Sequence, residues 1–222
     1  MSSARDTVLG KVRSALGKDR TDDASLAEAQ AYIDAHAQGP RPSLPDDLVS
    51  RFVQRAGDME STVERVTDRN EIPRAISRYL DGVESSAGAR GLRKGVCWPE
   101  FADLDWADAG LAIEARPTSG NDVLGITGVF CAIAETGTLV VLPGPATPTA
   151  TTLLPETHIA IVGSSRIVAG MEEAFALIRN ERGRLPRAVN FISGPSRTGD
   201  IEQTIVLGAH GPYRVHILVM GA

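Results

Sequence analysis

The chain has 222 residues, of which 42% are apolar, 23% charged and 5% aromatic, with 22 glycines and 13 prolines. This length suits one domain with a small appendage, and this composition excludes a disordered or collagen-like chain. A formal net charge of −5 argues against nucleic-acid backbones and anionic lipid surfaces as partners.

Cys97 and Cys131 are the only cysteines. Two thiols are too few for a multi-cysteine disulfide framework or a self-contained iron–sulfur cluster, so two reduced thiols and no bound cofactor are expected. The opening "MSSARDTVLG" lacks the apolar segment of a secretory signal, and no apolar run is long enough for membrane insertion. A cytoplasmic chain is expected.

Residues 5 to 16 place Val8, Leu9, Val12 and Leu16 on one stripe, which predicts an amphipathic first helix. A weakly amphipathic stretch and a Gly/Pro-rich linker follow, ending near Pro45. The expected organisation is therefore a helical arm and linker over residues 1–45 and an α/β domain over residues 46–222. "DDLVSRFVQRA" opens on two acids that suit a helix N-terminus and predicts a second helix.

Strand-like "STVERV", helical "EIPRAISRYL", strand-like "GVCWP" and "GLAIE" come next, then "TLVVLP", "HIAIV", helical "GMEEAFALIRN", "AVNFIS" and "YRVHILVM". Such alternation predicts a Rossmann-like, mostly parallel sheet flanked by helices. Because 34 of the 51 charged residues precede residue 111, the core sheet is expected mainly in the second half. "TLVVLP", "HIAIV" and "AVNFIS" are near-continuously apolar, as expected of parallel strands covered on both faces.

Two Gly-rich segments are candidates for the chemistry. In "AETGTLVV", Glu135 precedes Thr136, Gly137 and Thr138, where small residues allow backbone N–H groups to converge on an anion and hydroxyls add donors. A partly desolvated Glu135 would serve as a general base or nucleophile; equally, it would only pin the loop. In "FISGPSRTGDIEQT", a strand is expected to end at Ile192 and a short helix to begin near Thr198 or Gly199. There Ser193, Gly194, Ser196, Arg197 and Thr198 would form an anion-binding loop, with Arg197 either holding the ligand or pairing with Asp200 or Glu135.

The other candidates read as structural. His158 precedes an apolar strand, His210 lies on a Gly-Pro turn, and His36 and His216 lack neighbours with metal-site spacing. Cys131 has no cationic neighbour nearby in sequence and is expected to be a buried apolar side chain. "ARGLRKG" is expected to be a solvated basic loop.

Three ordered motifs, "ITGVFCAIAETGTLVV", "TLLPETHIAIVGSSRIV" and "ISGPSRTGDIEQTIVLGAHGPYRVHILV", closely resemble the LUD-domain family in its lactate utilization protein C group. "VLGKVRSALG" is similar to that family's opening helix. The resemblance covers most of residues 122 to 219 and is weak from about 20 to 110. It implies a NagB/RpiA/CoA-transferase-like fold and a part in bacterial conversion of L-lactate to pyruvate. It also implies two partner proteins, at least one of them carrying iron–sulfur clusters.

Superfamily relatives bind phosphorylated sugars or acyl-CoA at strand-end loops, and coenzyme A transferases use a glutamate nucleophile whose counterpart here would be Glu135. Beyond the loop residues already named, the motif positions are Leu154, Pro155, His158, Pro195, Asp200 and Glu202. One departure stands out: related sequences often carry an arginine shortly before the Leu-Leu-Pro segment, and residues 136 to 165 here contain no Lys or Arg. The leading expectation is an accessory, non-redox subunit with a pocket for a small anionic ligand. The competing one is a free-standing acyl-CoA or phosphosugar enzyme built on Glu135 and Arg197.

Overall fold

The computed structural model describes residues 3–17, 23–87, 91–201, 204–208 and 210–221. Glu202 and part of the basic loop, Ala89 and Arg90, lie outside them. By its internal contacts the chain divides into two units, Met1–Pro42 and Ser43–Ala222.

The first unit holds helices α1 (Ala4–Ala15) and α2 (Asp23–Ala35). Ser3 caps α1: its hydroxyl accepts from the Asp6 N–H at 3.2 Å, while the Asp6 carboxylate accepts from the Ser3 N–H at 3.1 Å. Neither helix buries a side chain, and Val8, Val12 and Leu16 of the predicted stripe are exposed.

In the second unit α3 (Leu48–Asp58) starts where Asp47 accepts from the Ser50 N–H at 2.9 Å, and it buries Phe52 and Ala56. The strand β1 (Thr62–Val66) and helix α4 (Ile72–Ala87) follow, and then β2 (Lys94–Cys97), β3 (Ala112–Ala115) and β4 (Leu124–Gly128). After these come β5 (Cys131–Ile133), β6 (Thr138–Val141), α5 (Ala150–Leu153), β7 (Thr157–Gly163), β8 (Ile167–Val168) and α6 (Met171–Arg182). The last elements are β9 (Asn190–Ile192), β10 (Arg197–Ile201), β11 (Thr204–Leu207) and β12 (Arg214–Met220).

Six strands form one sheet in the order β1-β12-β7-β4-β2-β3, with every neighbouring pair parallel. Its strands sort their side chains by the two-residue period. Ile159, Ile161 and Leu218 join the core built with α4, whereas Ala160, Val162, Ile217 and Val219 join the core built with Phe52 and Ala56 of α3. The expected Rossmann-like α/β architecture is therefore present.

Three expectations need correction. The core sheet draws β1, β2 and β3 from the first 115 residues, so it is shared between the halves; β1 and β3 are its two edges, where exposed or half-buried positions let Glu64, Arg65 and Glu114 sit on the strands themselves. "TLVV" and "NFI" do not enter the parallel sheet. They form β6 and β9 of a second sheet, ordered β8-β5-β6-β9, in which β6 is antiparallel to both β5 and β9. This second sheet is apolar on two faces because Ala132, Ala134 and Leu139 meet the main sheet's core while Cys131, Ile133 and Val140 pack on Ala174 and Ile178 of α6. Finally, no helix opens near Thr198. That segment is β10, held in an antiparallel pair with β11 through Arg197 opposite Leu207 and Thr198 opposite Val206.

Candidate functional site

The two Gly-rich segments meet. Thr136 and Thr138 share a hydroxyl hydrogen bond of 2.7 Å, and Thr138 in turn bonds the Ser193 hydroxyl at 2.7 Å. Both loops press on the C-terminal end of α3. Gly137 (φ 70°) lies where a Cβ would come within 2.5 Å of the Ala56 nitrogen, and at Gly194 (φ 81°) a Cβ would overlap the Met59 carbonyl. Only glycine satisfies both the left-handed backbone and the contact.

Among the described residues Arg197 does not pair with Glu135, and the Asp200 side chain lies outside them. The Arg197 guanidinium donates to the Met59 carbonyl at 3.1 Å and lies 3.1 Å from the Glu60 carboxylate. Ser196 holds the neighbouring turn: its carbonyl accepts from Gly208 N–H at 2.9 Å and its hydroxyl from His210 N–H at 3.3 Å. Glu135 sits half-buried in the β5–β6 turn, with its backbone N–H on the Ala169 carbonyl at 3.0 Å. Its carboxylate has no hydrogen-bond or ion-pair partner among the described residues. The joint therefore leaves Thr136, Ser193 and Arg197 exposed and Glu135 half-buried.

A cavity of about 560 Å³ opens elsewhere, at the carboxyl ends of the parallel strands. β2 leads into Trp98, Pro99 and Glu100, β4 ends at Gly128, β7 at Gly163 and β12 at Met220, and all of these line it. This is the edge where open α/β sheets bind ligands. Loop residues Ala146 and Thr147, from the stretch without Lys or Arg, close one side.

Three charged side chains reach this cavity. Arg69 is neutralised by Asp103, with contacts of 2.8 and 2.6 Å, and also donates to the Glu100 carbonyl. The Glu100 carboxylate lies against Gly128, where a Cβ would overlap it. Burial raises the Glu100 pKa, opposed by the Gly128 backbone and the Arg69 charge. Arg182 stacks over the Phe130 ring at 5.8 Å and has no ion pair among the described residues.

Trp98, which lines the cavity, also carries a buried donor without a partner among the described residues. Trp98 is 5% exposed, and its indole N–H has no acceptor among the described residues, whereas that of Trp106 donates to the Phe101 carbonyl at 3.1 Å. Sequence reading missed this cavity entirely. The signal available was the strand-end position of Trp98 and Glu100 directly after "GVC".

His158 and His216 are buried in the main sheet, as a structural role requires. His158 Nε2 lies 2.8 Å from Thr127 Oγ1; His216 Nδ1 lies 2.8 Å from Thr62 Oγ1, and its ring stacks on Tyr79 at 4.0 Å. Burial holds both down to about 4. Cys97 and Cys131 are buried thiols, each pushed up by burial to about 11. Arg93 of the basic loop is engaged by Asp81, Glu84 and Ser77. Among the described residues no three His, Cys, Asp or Glu side chains converge as a metal site, and no helix is long and apolar enough to cross a membrane.

Known proteins are similar to this chain in sequence and in fold. The chain is 39% identical over 240 residues, covering 99% of both chains, to a Halalkalibacterium halodurans protein named lactate utilization protein C. It is 28% identical over 231 residues, again covering 99% of both, to one of the same name from Shouchella clausii. The crystal structure of a DUF162 family protein from Deinococcus radiodurans superposes with a TM-score of 0.57 at 23% identity, covering 81% of this chain and 100% of that one, a likeness of fold. The LUD domain family matches residues 49–220, and the chain belongs to that family.

Proposed function

We propose that this protein is a non-redox subunit of a cytoplasmic system that oxidises L-lactate to pyruvate, acting beside subunits that carry iron–sulfur clusters. The observation that carries this reading is the 39% identity, over 99% of both chains, to a lactate utilization protein C. The burial of Cys97 and Cys131, which opposes thiolate formation, supports placing the redox centres on the partners.

In this reading residues 46–222 are the working domain and residues 1–45 an arm. The exposed edge of the two-loop joint, with Glu135, Thr136, Ser193 and Arg197, is the face that meets a small anion or a partner. Gly137, Thr138 and Gly194 set its shape, while Ser196 and Thr198 fix the strand behind it. The test is L-lactate oxidation by the purified partner subunits with and without this chain. We expect the rate to fall at least tenfold in its absence; a full rate without it overturns the proposal.

A further inference from the structure

We infer that the cavity at the carboxyl ends of β2, β4, β7 and β12 is a ligand site for an organic monocarboxylate whose apolar body exceeds a three-carbon acid. Arg182 would match its charge, and Trp98, Phe101, Phe130 and Ile161 would cover its body. This inference goes beyond the proposed subunit role and does not depend on it.

Size is the first argument. At about 560 Å³ the cavity has the volume of a site for a mid-sized organic molecule, and a three-carbon acid would fill a small fraction of it. Its wall is the second. Ile72, Trp98, Phe101, Val129, Phe130 and Ile161 give it a largely apolar lining that suits a hydrocarbon or aromatic body.

Charge is the third argument. Of the two guanidinium groups in the wall, Arg69 is already neutralised by Asp103, which leaves Arg182 as the lining cation without an ion pair among the described residues. One such cation matches one carboxylate. A phosphate dianion would need more positive charge and would be repelled by the Glu100 carboxyl more strongly than a monocarboxylate, whereas a ligand hydroxyl could hydrogen-bond to it.

Titration calorimetry of the full chain with L-phenyllactate, L-lactate and inorganic phosphate tests this. We expect L-phenyllactate to bind at least tenfold more tightly than either of the others. Arg182→Ala, at an exposed helix end, should weaken that binding tenfold or more with the melting temperature unchanged, and Ala146→Trp, which fills the cavity from its exposed rim, should abolish it. No binding of L-phenyllactate, equal binding of lactate or phosphate, or indifference to Arg182→Ala overturns the assignment. Because the readout is binding, loss of the subunit role in the lactate assay leaves this result intact, and the reverse also holds.

Discussion

The hydroxyls of Thr138 and Ser193 lie 2.7 Å apart, and through them two segments 55 residues apart in sequence become one joint against the end of α3. The joint depends on a close approach at Gly194. Gly194→Ala should cost about 2 to 4 kcal/mol, because the added methyl must displace the Met59 carbonyl in a backbone that already disfavours a side chain. Gly183 has a similar φ of 70° but open space around it, so Gly183→Ala should cost only about 1 kcal/mol. Thermal melts of the two variants side by side check this; equal losses would refute it.

Arg197 separates stability from function. Its ion pair with Glu60 is at the surface, where such pairs contribute roughly 0 to 1 kcal/mol. Arg197→Ala should therefore lower the melting temperature by no more than about 4 °C. In the reconstituted lactate assay the same variant should lose activity at least tenfold. Full activity would show that the exposed arginine contacts nothing the reaction needs.

Acid should destabilise the fold before the carboxylates titrate. His158 and His216 are held at about 4 against an ordinary 6.5, so between those values the unfolded chain binds protons that the folded chain refuses. Stability is then complete above pH 6.5 and declines as the pH drops towards 4. Each histidine should account for about 2 kcal/mol between pH 7 and pH 5. Urea unfolding at the two values measures the sum, and His216→Phe, which keeps a ring against Tyr79, should remove about half of it. An unchanged urea midpoint in the wild type would contradict the prediction.

Asp122 governs a lower window. Its carboxylate accepts from Arg116 at 2.8 and 3.0 Å, from Thr118 Oγ1 at 2.9 Å and from Ser119 N–H at 3.0 Å, and it is 10% exposed. The Arg116 bond above all holds its pKa well below the usual carboxylate range, so its contribution is present above about pH 4 and lost on further acidification. Asp122→Asn should cost about 2 to 4 kcal/mol at pH 7. That cost should shrink at pH 3, which chemical denaturation at both values would reveal.

Much of the architecture was legible because hydrophobic period and length survive folding. β7 and β12 fill the centre of the sheet as their apolar runs imply, and α3 and α6 follow their predicted spans closely. Continuous apolarity did not reveal sheet membership, since β6 belongs to a second sheet and is covered on one face by the main sheet's core and on the other by α6. The β10 segment defeated local reading because its partner β11 decides its conformation. The strand-end cavity was hidden for a different reason: Arg69, Trp98, Gly128 and Arg182 are scattered over more than 100 residues, and only the strand order brings them to one edge. Nothing about "WPE" in isolation marks an indole without an acceptor.

The last strand in chain order, β12, is the second strand in space, lying between β1 and β7. Among the described residues β1 has no other neighbour in the sheet, so it is translated long before the one strand that pairs with it exists. Until β12 emerges, the facing backbone N–H and C=O groups of β1 and β7 stay unpaired in the nascent chain, and the cell must tolerate or shield them. Synthesis order thus makes the main sheet close late, and a chain stalled before residue 214 would present the kind of unpaired, sticky edge that chaperones bind.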